Sequence, residues 1–183
     1  TDAVRPDAMP LTRLVNTAVD RIRPQRPEIV EQVLSFARSD LVCYRADSPA
    51  ELMAAQAAAW DPWLAWVEGR YGARLNLAVG VAYAQQTESA LSALRCALEA
   101  HDDFALTALA SAAGVLRSAV LALALSAGDV DAEKAFLLSR IDEDFQERHW
   151  GKDAEAAKAA ERLLAEVKDA AMLFFCLRGS CGN

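Results

Sequence analysis

Apolar residues recur along most of this chain at helical rather than strand spacing. Leu11, Leu14, Val15, Ala18, Val19 and Ile22 follow one stripe behind Pro10, a residue suited to a first helical turn. Pro24 and Pro27 end that helix and restart the pattern, and Ile29, Val30, Val33 and Leu34 carry a second stripe to about Ala37. The two are expected to pack as a helical hairpin. Ser48-Pro49-Ala50-Glu51 has the spacing of a capping box and opens a helix to about Trp60. Asp61-Pro62 repeats the start signal, and a further helix runs to Gly72. Thr87 caps a helix bearing Leu91, Leu94, Cys96 and Leu98 that ends near Ala100. Asp131 caps one carrying Ala135, Phe136, Leu138, Ile141 and Phe145 as far as Trp150-Gly151. Asp153 opens the last, long helix through Phe175, and the tail from Arg178 carries no pattern and is expected to be loose.

The stretch from Phe104 to Gly128 differs from all of these. It has no Pro and a single charge, Arg117, and its apolar residues cover almost every side. A helix of that kind must be buried, so the pattern predicts one central helix from about Asp103 to Ala127 with the other helices as walls around it. Asp102 or Asp103 supplies the N-cap and Gly128 the stop. An apolar run of about 20 residues would also span a bilayer. Alanine is only weakly apolar, however, and a mid-bilayer Arg costs about 3 kcal/mol or more. The soluble reading is therefore preferred.

Two stretches break the helical rule. Leu41 to Tyr44 is a short apolar run that periodicity cannot assign, and we read it as extended. Leu75, Leu77 and Val79 alternate, Gly80 permits a turn, and Val81 and Tyr83 alternate again, which predicts a small β-hairpin. The fold class expected is thus mainly α: a multi-helix domain around a central apolar helix, with one small hairpin.

At 183 residues the chain suits a single helical domain over 1–183, able to bury about 70% of its unfolded surface. Nineteen basic against 26 acidic residues give a net charge of -7, which argues against nucleic acid and anionic membranes as partners. Cys43, Cys96, Cys176 and Cys181 fit neither a CxxC redox motif nor zinc spacing, so idle thiols in a reducing compartment are expected. No positively charged region leads into an apolar one at the N-terminus, consistent with bacterial cytoplasm or mitochondrial matrix.

Candidate chemistry is sparse. His101 and His149 have no local nucleophile arrangement, and no phosphate loop, HExxH or GxSxG is present. No cofactor or metal is expected. Trp60, Trp63 and Trp66 lie close together and form either a buried cluster or an exposed anchor, the former favoured because Trp is mostly buried. They also motivate an alternative reading, a helical domain enclosing an apolar small molecule. A third, a hydrolase using His149 with Asp142 or Asp144, has no motif behind it. The one concentrated polar feature is Arg140 to Arg148, where Arg140, Asp144 and Arg148 stand four apart and pair along a solvated face. Asp142 and Glu143 have no opposite charge at such spacing. With Asp144 and Trp150 they form the candidate partner-binding patch, of a composition that would steer a basic surface.

Four segments in this order, MPLTRLVNTAVD, WDPWLAW, YGARLN and LSRIDEDFQERHWG, resemble the assembly chaperones of the F1 sector of ATP synthase. The likeness is to the factor that holds the alpha subunit in mitochondria and alphaproteobacteria, and it covers about Asp7 to Leu177. The resemblance implies a non-enzymatic chaperone, expected as a monomer, that shields the unassembled alpha subunit until beta replaces it. It also implies a small β-rich N-terminal domain before the segment matching Met9-Pro10, which this chain is expected to lack. An acidic position that the family needs for function falls on Asp142, with Asp in place of the family's Glu. Arg117 stands where a smaller residue is expected.

Overall fold

A computed structural model describes Leu14 and residues 25–151 and 153–180. Its helices are α1 (Arg26–Arg38), α2 (Ala50–Tyr71), α3 (Glu88–Glu99), α4 (Asp103–Leu116), α5 (Ala119–Ala127), α6 (Ala132–Leu138), α7 (Ile141–Trp150) and α8 (Ala154–Ser180). Two strands of two residues each, β1 (Tyr44–Arg45) and β2 (Ala78–Val79), and a 3-10 turn (Leu41–Cys43) complete the described elements. The mainly helical class expected from the periodicity is what forms. The first expected helix lies outside the described residues except for Leu14, which is helical and buried.

The central apolar stretch is the core, but as two helices. Ala105 to Leu109, Ala112, Ala113 and Leu116 of α4 are buried, as is every residue of α5 from Ala119 to Leu125. Helix α4 packs against α8 and α1, while α5 contacts α1, α2 and α6. Between them Arg117 adopts φ 53°, a left-handed conformation that costs a non-glycine residue about 1–2 kcal/mol. Ser118 then caps α5, its hydroxyl accepting from Leu121 N at 3.0 Å. Asp40 secures this break from outside: its fully buried carboxylate accepts from Val120 N at 3.1 Å and Val42 N at 3.3 Å. Leu41 N donates to Arg117 O at 3.1 Å, so the turn at 40–43 and the helix break are stitched together. Hydropathy could not reveal the break because apolar residues cover nearly every side of both helices and run across it without interruption other than Arg117.

The expected hairpin does not form. Ala78 and Val79 pair instead in parallel with Tyr44 and Arg45, so the run at 41–44 becomes a 3-10 turn (Leu41–Cys43) leading into strand. The side-chain phase is also opposite to the alternation: Ala78 is buried, while Leu77 and Val79 are exposed. Gln86 fixes this arrangement, its buried amide closing the loop on the backbone of Asn76 at 2.8 and 3.0 Å.

Several boundaries also differ. Helix α2 runs unbroken through Pro62, whose missing N–H is tolerated on an exposed side. Its N-cap is Pro49 with no side-chain cap, so the expected capping box is absent: Ser48 Oγ lies 3.3 Å from the Asp47 carboxylate instead. The single helix expected from Asp131 to Trp150 divides at Ser139-Arg140, where Ser139 Oγ donates to Phe136 O at 2.8 Å. The segment from Arg178 to Ser180 continues α8, and Arg178 donates to Ser126 O at 2.6 Å. Thr87, Asp102 and Asp131 cap α3, α4 and α6 as their positions predict.

Candidate functional site

Helix α7 carries the acidic candidates. Asp142, Glu143 and Asp144 fill its first turn, and Arg148 and His149 its last, each sign at the end that the helix dipole favours. This offsets an N-cap, Arg140, that makes no side-chain capping bond. The structure therefore places the three carboxylates in one helix turn, where successive residues point to different sides. It does not bring Trp150 to them: Trp150 lies at the opposite end, about 12 Å from Asp142 along the helix axis, and is 79% exposed.

Asp142 and Glu143 lack partners within their own helix, yet neither is unpaired. Gln56, on α2 and itself buried, donates Nε2–H to Asp142 Oδ1 at 2.6 Å. Its carbonyl oxygen accepts from Ala46 N at 2.7 Å, so this one side chain links α2 to α7 and to the residue that follows β1. The second Asp142 oxygen stays accessible to solvent. Arg117 reaches from the central break to Glu143 Oε1 at 2.7 Å and to Ser139 O at 2.9 Å. Glu143 Oε2 is buried without a hydrogen-bond partner, a penalty on the order of 1–3 kcal/mol against that ion pair. The lone charge in the apolar run thus serves as the tether between the core and the start of α7.

Asp144 and Glu147 share Arg140, at 3.5 and 2.7 Å. Partial burial is the main cause that raises the Asp144 pKa, with Arg140 opposing it. Arg148 donates to the Asp144 backbone carbonyl at 3.2 Å rather than to its carboxylate. Ala55, Leu137, Ile141, Asp144, Glu147 and Arg148 line a groove of about 530 Å³ beside this turn. Leu137, 58% exposed, forms its apolar lip.

The other candidates separate. Trp60 is buried and donates its indole N–H to Leu138 O at 2.8 Å, which pins the C-terminal end of α6 against α2. Trp63 and Trp66 form an edge-to-face pair, half-buried, with centroids 6.2 Å apart. The cluster is thus partly core and partly surface. His149 Nδ1 engages Phe145 O at 2.8 Å, and His101 Nδ1 engages Ala97 O at 2.8 Å. With Asp142 held by Gln56 and Asp144 by Arg140, the hydrolytic arrangement considered for His149 is not assembled. Among the described residues no group of His, Cys, Asp and Glu has metal-binding geometry, and no helix is long and apolar enough to cross a membrane. Burial drives the Cys43 thiol pKa upward, while Cys96 and Cys176 are exposed.

Fold and site together define a mainly helical scaffold with a charged helix turn braced from the core. The family model described as ATP12 chaperone protein matches residues 1–68. The crystal structure of Atp12 from Paracoccus denitrificans superposes with a TM-score of 0.92 at 37% identity, over 96% of this chain and 75% of that one. A D-to-K mutant of the same bacterial protein agrees equally, at 36% identity. The mitochondrial protein atp12 of Schizosaccharomyces pombe is 23% identical over 185 residues, and this chain spans 64% of its length. The chain belongs to the ATP12 chaperone family.

Proposed function

We propose that this chain captures the unassembled alpha subunit of the F1 sector of ATP synthase and keeps it from aggregating until the beta subunit displaces it. The observation that carries this reading is membership of the ATP12 family along nearly the whole chain. No ATP or catalytic step is needed: binding and release by exchange suffice, in the bacterial cytoplasm or the mitochondrial matrix. The first turn of α7 is the client-facing site. Asp142, Glu143 and Asp144 are concentrated there on a chain of net charge -7, and such a patch favours encounter with a basic client surface. The exposed Leu137 offers apolar area beside it. Trp150, exposed at the far end of α7, supplies a second contact if the client lies along the helix.

The test is aggregation suppression. Alpha and beta subunits are diluted separately from denaturant, and light scattering is followed with and without equimolar chaperone. Suppression for alpha but not beta, followed by release when folded beta is added, is the expected result. Equal suppression of both, or of neither, would overturn the proposal.

A further inference from the structure

Gln56 is a buried polar side chain in a helix otherwise rich in alanine, and its two hydrogen bonds reach α7 and the residue after β1. We infer that Gln56 is the positioning residue for client capture: its amide pins one oxygen of Asp142 and leaves the other able to accept from a client donor. This rests on the reading of α7 as the client-facing site.

Three observations support it. The contact is short, 2.6 Å, and joins residues 86 apart in sequence, so α7 is held at a fixed place against α2. The amide cannot swing away freely, because its oxygen is bound to Ala46 N at 2.7 Å. And among the described residues no cation is paired to Asp142, in contrast to Glu143, held by Arg117, and Asp144, held by Arg140. A neutral donor fixes the carboxylate without neutralising it. Of the three acids in this turn, Asp142 therefore keeps the charge most available to an incoming cation while losing least conformational entropy on binding.

A mutant cycle on the intact chain tests this, with capture of the alpha subunit measured by titration and folding by thermal melts. Gln56→Glu keeps an acceptor for Ala46 N but sets a like charge against Asp142, and it is expected to weaken capture about tenfold or more. Gln56→Met, which removes both bonds with little change of volume, serves as the second variant should Gln56→Glu not fold. In an Asp142→Asn background either change is expected to add less than about twofold, because Gln56 acts through Asp142. The swap Gln56→Glu with Asp142→Asn restores the hydrogen bond with donor and acceptor exchanged. It is expected to recover thermal stability but not capture, since the charge now lies on the buried side. The same loss of capture from Gln56 changes in both backgrounds, or parallel recovery of capture and stability in the swap, would overturn the inference. So would Asp142→Asn weakening capture while Gln56→Glu and Gln56→Met do not, which leaves the α7 site standing. Wild-type capture by Asp142→Asn alone overturns the α7 reading itself, and the inference with it.

Discussion

Replacing Asp40 with Asn should remove a part of this protein's stability that, unlike the usual carboxylate contribution, is lost as pH rises. Asp40 is fully buried, and burial is the main cause that raises its pKa from 3.8 to about 6. The Ser118 hydroxyl and the amides of Val120, Val42 and Ala119 hydrogen-bond to it and limit the rise. The folded protein thus holds this proton more tightly than the unfolded chain does. The stability contributed by protonation is full below the unfolded value near 3.8 and is lost as pH rises through about 6. At ~1.4 kcal/mol per pH unit, the difference amounts to about 3 kcal/mol. Asparagine does not titrate, and it turns an NH2 group toward backbone N–H donors, so Asp40→Asn should be less stable throughout, by about 1–3 kcal/mol at neutral pH. The diagnostic is the gap between the two proteins, since other carboxylates act equally on both. It should be largest near pH 4 and shrink by about 2–3 kcal/mol on reaching pH 7. Urea unfolding at several pH values, followed by tryptophan fluorescence, measures it. A gap that stays constant or widens with pH would refute the account of a desolvated carboxylate securing the helix break.

Other substitutions probe the same scaffold. Leu123→Ala, at a fully buried position of α5, should cost about 2–5 kcal/mol in denaturant unfolding; under about 1 kcal/mol would mean the core is misplaced. Arg117→Gly relieves the left-handed backbone while Arg117→Ala does not, so the Gly variant should be the more stable by about 1 kcal/mol. Equal melts would show that the left-handed backbone at this residue carries no measurable strain. Trp60→Phe leaves Leu138 O without its indole donor and should lower stability by about 1–3 kcal/mol, visible as a lower melting temperature. In thiol labelling read by mass spectrometry, Cys96 and Cys176 should react in the native protein and Cys43 only after unfolding.

Periodicity and capping residues made the helical class and most element starts legible, because Thr87, Asp102 and Asp131 act locally and their cap bonds span three residues. The breaks at Arg117 and Ser139 were not legible. Each depends on groups distant in sequence: Asp40 for the first, and Arg117 for the second, through Ser139 O. The hairpin failed for a related reason. Strand Tyr44–Arg45, which pairs with Ala78–Val79, left no alternation of its own to detect. At the candidate site the acidic turn could be found from its composition, but its bracing could not. Nothing in the sequence around Gln56 signals a partner 86 residues away, whereas Arg117 did leave a trace as the sole charge in the apolar run.

The central claim is that the first turn of α7 faces the alpha subunit, and charge reversal tests it most directly. Asp142→Lys is compared with Glu161→Lys, an exposed control of equal charge change on α8, by capture of purified alpha subunit at low and physiological salt, with thermal melts alongside. The account predicts that Asp142→Lys stays folded and loses capture, more severely at low ionic strength where screening is weak, while Glu161→Lys binds like wild type. Equal loss in both variants would assign the effect to net charge, and unchanged capture by folded Asp142→Lys would remove this turn from the interface.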